Sequence, residues 1–462
     1  MKKQNRVAFF NILSTVLLRG LSIFTAPLFS RLLGTDGYGV LNIYTIWVSV
    51  AAIAMTFQTQ GTLINARIEY APEEQDKYQS SVMCLSLLFF LTCSAAVLVF
   101  LEPLSKLLNL NRILVILILV QSFGTFCVNF LNTKFTYEFK AGRNFAVSMG
   151  VALTTLVLSV ILILLMPEDV NYYGRILALA VTYGGLGIAV CAATLLRGKT
   201  FYQRKYWKFC LYLSIPLMFY NLSDLVLGQS DRVMLQRMLG DAAVGQYSLA
   251  LNFGGIMFTI FGALNNTWCP FFFEDIKNGR REQMHAQARN YLELYTVLSV
   301  GFILLTTEVY HLFASREFWD GTVLIPVFVT SYFMNFLCTF PVNYEYYHKK
   351  TKAVAAVTII TSAVNIVLNF FLIRSIGILG AAVATAISHC LQFALHFGYC
   401  KYILGKGDYP FGVRIWIGYL LAYLAAMAAV YLTQGMWILR WVLGAGIGIW
   451  ELRRIVKRKV LI

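Results

Sequence analysis

Val7-Ala-Phe-Phe-Asn11-Ile-Leu-Ser-Thr15-Val-Leu-Leu-Arg19-Gly-Leu-Ser22-Ile-Phe-Thr-Ala-Pro-Leu-Phe-Ser30 is an apolar stretch with one arginine near its middle, running on into Arg31-Leu-Leu-Gly34. Its length suits a membrane span, since about 20 helical residues cross roughly 30 Å of hydrocarbon. A guanidinium at the centre of such a span costs about 2.5 to 3.5 kcal/mol to insert. At 100° per residue Asn11, Thr15, Arg19 and Ser22 fall in one narrow sector of the helix. A polar stripe with a cation at its centre reads as the lining of a cavity that takes an anion.

Composition places the rest of the chain in the same class. The 462 residues are 58% hydrophobic and only 13% charged, with mean hydropathy +0.67, a balance that no soluble core requires. Strand-type alternation is absent, so the expected class is an all-α polytopic membrane protein and not a barrel. Met1 to Phe10 is basic and then apolar, like a secretory signal. Arg19 interrupts the apolar run and no small-residue cleavage site follows, so this segment is kept as an uncleaved first span. The nine cysteines, from Cys84 to Cys400, are too far apart for metal or disulfide frameworks and read as reduced buried thiols.

Apolar runs between charged breaks lie near 7–30, 39–60, 80–101, 113–132, 145–166 and 175–196, then 210–234, 244–266, 290–313, 321–341, 353–373 and 377–400. A final pair falls at 413–432 and 436–450, the last short for a span. This makes about 14 transmembrane helices. With the N-terminus inside, the outer side of the chain holds only Arg31, Lys106, Arg112, Arg175, Arg232, Arg237, Arg316, Arg374 and Arg440. Apart from Arg19, all others of the 38 Lys and Arg fall on the inner side. That bias puts both termini in the cytoplasm. It also explains the net charge of +16: the clusters at 197–208, 277–289 and 453–459 anchor to anionic membrane lipid, and no nucleic-acid partner is expected.

The chain repeats. Arg31-Leu-Leu-Gly-Thr-Asp-Gly-Tyr-Gly39 is echoed by Arg237-Met-Leu-Gly-Asp-Ala-Ala-Val-Gly245, an Arg-x-Leu-Gly-x4-Gly pattern displaced by 206 residues. A weaker echo pairs Gly174 and Ile176 to Ala180 with Gly377 to Val383. Six helices per repeat is an even number, so the two halves are expected to be parallel repeats about an axis along the membrane normal, with a cavity between them. The expected domains are 1–200, 201–405, and 406–462 as an extra helix pair with a basic tail.

The first helix of the second repeat is also polar on one side, through Ser214, Asn221, Asp224, Gly228, Asp231 and Arg232. Asp224 could pair with a facing arginine, titrate with a proton or hold Na+, and Asp231 next to Arg232 suits a water-facing pair. Arg31 and Arg237 stand where their helices end and could cap terminal carbonyls. The amides Gln58, Gln60, Asn129, Asn132, Asn365 and Asn369 read as glue between helices. His389 and His396, seven apart, read as packed histidines without a third ligand for a metal. Trp207, Trp268, Trp319 and Trp437 read as an interfacial belt. No dinucleotide, P-loop or nucleophile-elbow motif is present, so neither catalytic residues, metal nor cofactor are expected.

The stretch Asn11-Ile-Leu-x9-Ser-Ile-Phe-Thr-Ala-Pro-Leu-Phe-Ser-Arg-Leu-Leu-Gly-x4-Gly39 resembles the Wzx-like flippase or polysaccharide transporter branch of the MATE-like exporter superfamily. Ser230-Asp-Arg-Val-Met-Leu235, Leu239-Gly-x4-Gly-Gln-Tyr-Ser248 and Gly377-Ile-Leu-Gly-Ala-Ala-Val-Ala-Thr385 carry the same resemblance across the chain. It implies two six-helix lobes that move an undecaprenyl-diphosphate-linked oligosaccharide across a bacterial cytoplasmic membrane by alternating access. Arg19, Asn11, Thr15, Arg31, Arg232 and Asn221 become the expected cavity residues for the diphosphate and glycan, and Asp224 and Asp231 the coupling or interlobe pair. A proton, Na+ or the membrane potential would drive it, and polysaccharide-assembly enzymes are candidate partners. The alternatives are an ion-coupled small-molecule antiporter of the MATE type, a lipid II flippase, and a membrane glycosyltransferase or polymerase.

Overall fold

The computed structural model describes the backbone of residues 3–405, 409–433 and 435–458; the side chains of residues 3–16, 19, 22, 23, 227, 413–415, 431, 452 and 455–458 lie outside the description. Among the described residues there is no strand. The helices are α1 (Lys3–Ala54), α2 (Leu63–Glu69), α3 (Gln75–Val99), α4 (Leu101–Leu108), α5 (Arg112–Tyr137), α6 (Ala141–Leu165), α7 (Tyr172–Gly198) and α8 (Arg204–Leu239). They continue as α9 (Asp241–Lys277), α10 (Arg281–Phe313), α11 (Leu324–Tyr347), α12 (Thr351–Ile376), α13 (Ile378–Gly398), α14 (Val413–Leu432) and α15 (Trp437–Arg458). Eleven helical segments among the described residues are long and apolar enough to cross a membrane, and Trp416–Val430 is a shorter apolar helix. The protein is a multi-pass, all-α membrane protein.

Contacts divide the chain into two compact units, Met1–Gly245 and Gln246–Ile462. The first unit includes α8.

In the first unit α1 is broken by Gly34, with φ 66° and ψ −178°. That region of backbone space is open to glycine almost alone, so the break between the first two apolar runs is written in one residue. The side-chain amide of Asn171 donates to the Leu32 carbonyl at 2.7 Å, satisfying an acceptor that the broken helix leaves over. The second apolar run ends at Ala54, and Gln58 lies in a turn with φ 49°. Gln58 and Gln60 therefore do not glue two helices together. The turn is held instead by Thr59 against Ser86 at 2.6 Å and Thr62 against Tyr78 at 2.7 Å.

α7 packs chiefly on α5 and α6 in the first unit, and α13 packs chiefly on α11 and α12 in the second. A Cβ on Gly174 of α7 would stand 2.6 Å from the Ile163 nitrogen of α6, and one on Gly380 of α13 would stand 2.1 Å from the Leu372 carbonyl oxygen of α12. These two glycines are again 206 residues apart, which resets the weaker sequence echo by three positions: Gly174 answers to Gly380 and not to Gly377.

The second unit is built round aromatic rings. Trp268 is fully buried and stacks on Phe272 at 4.7 Å and Tyr291 at 5.2 Å. It belongs to the core and not to an interfacial belt, because its neighbours on α9 and α10 offer faces rather than water. Asn369 donates to Asn365 at 3.0 Å along its own helix, α12, and its side-chain oxygen is buried without a partner among the described residues. α15 is longer than the apolar run 436–450 suggests. Arg440 pairs with Glu308 and Arg454 with Glu293, both acids on α10. The two helices are thus antiparallel and clamped at points about 21 Å apart along α15, at 1.5 Å per residue.

All nine cysteines are free; Cys127, Cys191, Cys210, Cys338 and Cys400 are buried.

Candidate translocation site

The two copies of the Arg-x-Leu-Gly-x4-Gly motif do the same two things. The first glycine of each breaks a helix: Gly240, between α8 and α9, has φ 91° and ψ 179°, close to the values at Gly34. The last glycine of each lets the chain pack closely. A Cβ on Gly39 would lie 1.9 Å from the Asp241 carbonyl oxygen, and a Cβ on Gly245 would lie 2.1 Å from that of Thr35. The two copies therefore lie against each other, each glycine facing the residue four before its counterpart. The reciprocal pattern is that of a local two-fold axis.

Around this contact the ends of the broken helices are tied down. Gln236 donates to the Asp241 carboxylate at 2.9 Å and the Asn109 carbonyl at 3.3 Å. Arg237 donates to the Leu107 carbonyl at 2.9 Å. It does cap a helix, but the capped helix is α4 and not its own, because α8 ends at Leu239 and the chain turns away at Gly240.

Arg31 lies exposed one turn before Gly34. Arg19 stands on the backbone of α1, but its side chain and those of Asn11 and Thr15 lie outside the described residues. On α8, Asn221 donates to the Leu217 carbonyl of its own helix at 2.8 Å, and Asp224 is exposed. Asp231 accepts from the backbone N–H of Arg232 at 2.8 Å, and the Arg232 guanidinium reaches Gln229. The structure brings Asp231, Arg232 and Gln229 together on one helix turn.

One cation in the first unit was placed by sequence only as a boundary charge. Arg175, in the first turns of α7, extends its guanidinium between helices. It donates to the Thr155 carbonyl at 3.1 Å and the Ser159 hydroxyl at 2.7 Å, both on α6, and lies 4.1 Å over the Phe29 ring of α1. Its Nε is buried and makes no hydrogen bond, and no described carboxylate pairs with it. An arginine held by a carbonyl, a hydroxyl and an aromatic face has no described counter-ion and keeps a spare donor, which is what an anion needs. The sequence signal was an arginine directly before the apolar run Ile176 to Ala180.

At the end of the first unit that carries the basic loops, an open cavity of about 320 Å³ is lined by Arg67, Tyr70, Gln75, Gln79, Lys134 and Tyr137 among others. Lys134 contacts Asp76 at 3.3 Å and Glu138 at 3.9 Å. The Gln79 carbonyl oxygen is buried without a partner. Burial, with the Glu69 charge next in weight, pushes the Tyr70 hydroxyl up to about 12, so it remains a neutral donor.

Fold and site together define a polytopic α-helical membrane protein. Among solved structures, the lipid II flippase MurJ in an inward closed conformation matches with a TM-score of 0.68 and 18% identity, over 98% of this chain and 100% of that one. An inward-facing MATE multidrug resistance transporter of the MOP superfamily matches with a TM-score of 0.62 and 13% identity, over 82% of this chain and 93% of that one. At such identities the likeness is one of fold. An uncharacterized membrane protein of Haemophilus influenzae is 21% identical over 353 residues, 73% of this chain and 82% of its own. Residues 6–275 match the sequence profile described as polysaccharide biosynthesis protein. The chain belongs to that family.

Proposed function

We propose that the protein is a flippase moving undecaprenyl-diphosphate-linked oligosaccharide from the inner to the outer leaflet of a bacterial cytoplasmic membrane, with about 14 spans and both termini cytoplasmic. The observation that carries the reading is the reciprocal contact of the two repeat copies at Gly39 and Gly245. Two helix breaks related by a local axis give repeated halves a pivot, as alternating access requires. The family supports a polysaccharide precursor as cargo. A diphosphate needs cations inside an otherwise apolar protein, and Arg19, Arg31 and Arg175 supply them, while a polyprenyl tail is content to stay in lipid.

The test is reconstitution into liposomes with a lipid-diphosphate sugar placed in one leaflet. Movement across the bilayer with the glycan unchanged is the expected result. Extension of the glycan without movement would make the protein a glycosyltransferase or polymerase. Exchange of small cations for drugs, with the lipid unmoved, would make it an antiporter.

A further inference from the structure

In the second unit, far in sequence from the repeated glycines, two ionisable side chains meet out of contact with solvent. Glu345 of α11 and His396 of α13 are both wholly buried, with His396 Nδ1 at 2.7 Å from Glu345 Oε1. The other oxygen of the carboxylate, Oε2, and the other nitrogen of the ring, Nε2, are buried and bond to nothing described. Each group therefore keeps one vacant position at which a proton can add. Cys400 completes the cluster, its thiol directed at the Pro341 carbonyl at 3.3 Å and at Glu345 Oε1 at 3.6 Å.

The local backbone is unusual here. α13 passes at Tyr399 into a six-residue π-helical turn, Tyr399–Leu404, which carries Cys400. Such turns cost helix stability and occur often at functional sites. The pair also lies at one end of its helices: α11 stops at Tyr347, two residues beyond Glu345, and His348, Lys349 and Lys350 follow. A basic loop marks the side from which protons would arrive.

The groups facing the pair are Cys338 and Tyr344 on α11, Cys400 on the π turn and Tyr409 beyond it. No described Lys, Arg or second carboxylate makes an ion pair with either member. A second, purely structural polar contact lies farther along the same interface, where His389 bonds Ser331 at 2.6 Å. It has no acid.

We propose that Glu345 and His396 form the proton-binding site of the protein, exchanging protons with the side that its basic loops face and coupling that exchange to transport. Uptake takes one proton from hydronium. It forms one O–H bond at Glu345 Oε2, releases water, and raises the charge of the pair by one. A protonated carboxyl accepts less strongly from His396 and from the Cys400 thiol. Protonation therefore loosens the hold of α11 on the π turn at the end of α13. The coupling rests on the transporter reading above; the titration does not.

The full chain reconstituted in phosphatidylethanolamine and phosphatidylglycerol vesicles gives a direct readout by infrared difference spectroscopy, with buffer cycled between about pH 5 and 8. Wild type is expected to show a carboxylic C=O band growing on acidification, and Glu345→Gln to lack it. His396→Gln is expected to keep the band with its midpoint moved by about one pH unit or more, because the two groups titrate as a pair. Under an imposed proton gradient, wild-type transport is expected to change severalfold and Glu345→Gln transport not to respond. A wild-type spectrum without the Glu345 band, or an unmoved midpoint in His396→Gln, overturns the proposal; the histidine variant alone decides it if Glu345→Gln does not fold. Titration of the band in a protein that moves no lipid-linked sugar would leave the site standing and remove the flippase reading.

Discussion

Gly39 and Gly245 are paired by reciprocity: the Cβ that each lacks would fall on the carbonyl oxygen four residues before the other, at Asp241 and at Thr35. Two stretches 206 residues apart in sequence are thereby packed backbone to backbone. Neither could be so if either residue carried a side chain.

Gly39→Ala and Gly245→Ala are expected to destabilise the protein by about 1 to 3 kcal/mol each, because the intruding methyl meets backbone and cannot be turned aside. The double variant should cost less than the sum, since one separation relieves both clashes. Thermal unfolding in detergent measures this. Gly150→Ala, where a Cβ meets nothing within 4 Å, is the control and should be neutral or mildly stabilising. Equal losses at all three positions would remove the contact from the argument.

Gly34→Ala and Gly240→Ala test the helix breaks. A Cβ at these dihedral angles costs of order 1 to 3 kcal/mol. If the breaks serve the pivot, transport should fall by more than the loss of folded protein accounts for. Liposome assays normalised to folded protein would show it.

Arg175→Ala is expected to slow transport of a lipid-diphosphate sugar about tenfold or more, the rate equivalent of one charge-assisted hydrogen bond of about 1.5 to 3 kcal/mol. Arg175→Lys should recover only part, because an ammonium neither forks nor lies flat on Phe29. A lowered melting temperature with unchanged transport would make Arg175 a brace between α1, α6 and α7 and nothing more.

Arg19→Ala is expected to abolish transport while leaving insertion intact, with partial rescue by Arg19→Lys, and Asp224→Asn to slow it. Rates measured across pH and Na+ gradients separate the two. An alanine variant of Arg19 with full activity would exclude that arginine from the mechanism.

Glu308→Gln should destabilise the second unit by about 3 kcal/mol, because it strands Arg440, which is 1% exposed. Replacing both, as Glu308→Gln with Arg440→Met, should restore much of the loss. Limited proteolysis of the C-terminal tail gives a second reading, since α15 released from α10 exposes it.

What the sequence determined alone follows from local rules. Apolar length gives the spans, because a bilayer admits few other backbones, and the position of charges gives their breaks. Gly34 and Gly240 could be read as helix ends from the repeated motif, because only glycine tolerates their dihedral angles. Tertiary structure decided the partners. That Gly39 meets Asp241, that Arg175 lies on Phe29, and that His396 finds Glu345 instead of serving as a packed ring are choices made across 51 to 202 residues of chain. Helical periodicity names the face that a side chain occupies, but the neighbour on that face is set by how whole helices pack, and a buried charge takes whichever donor or acceptor that packing brings within reach.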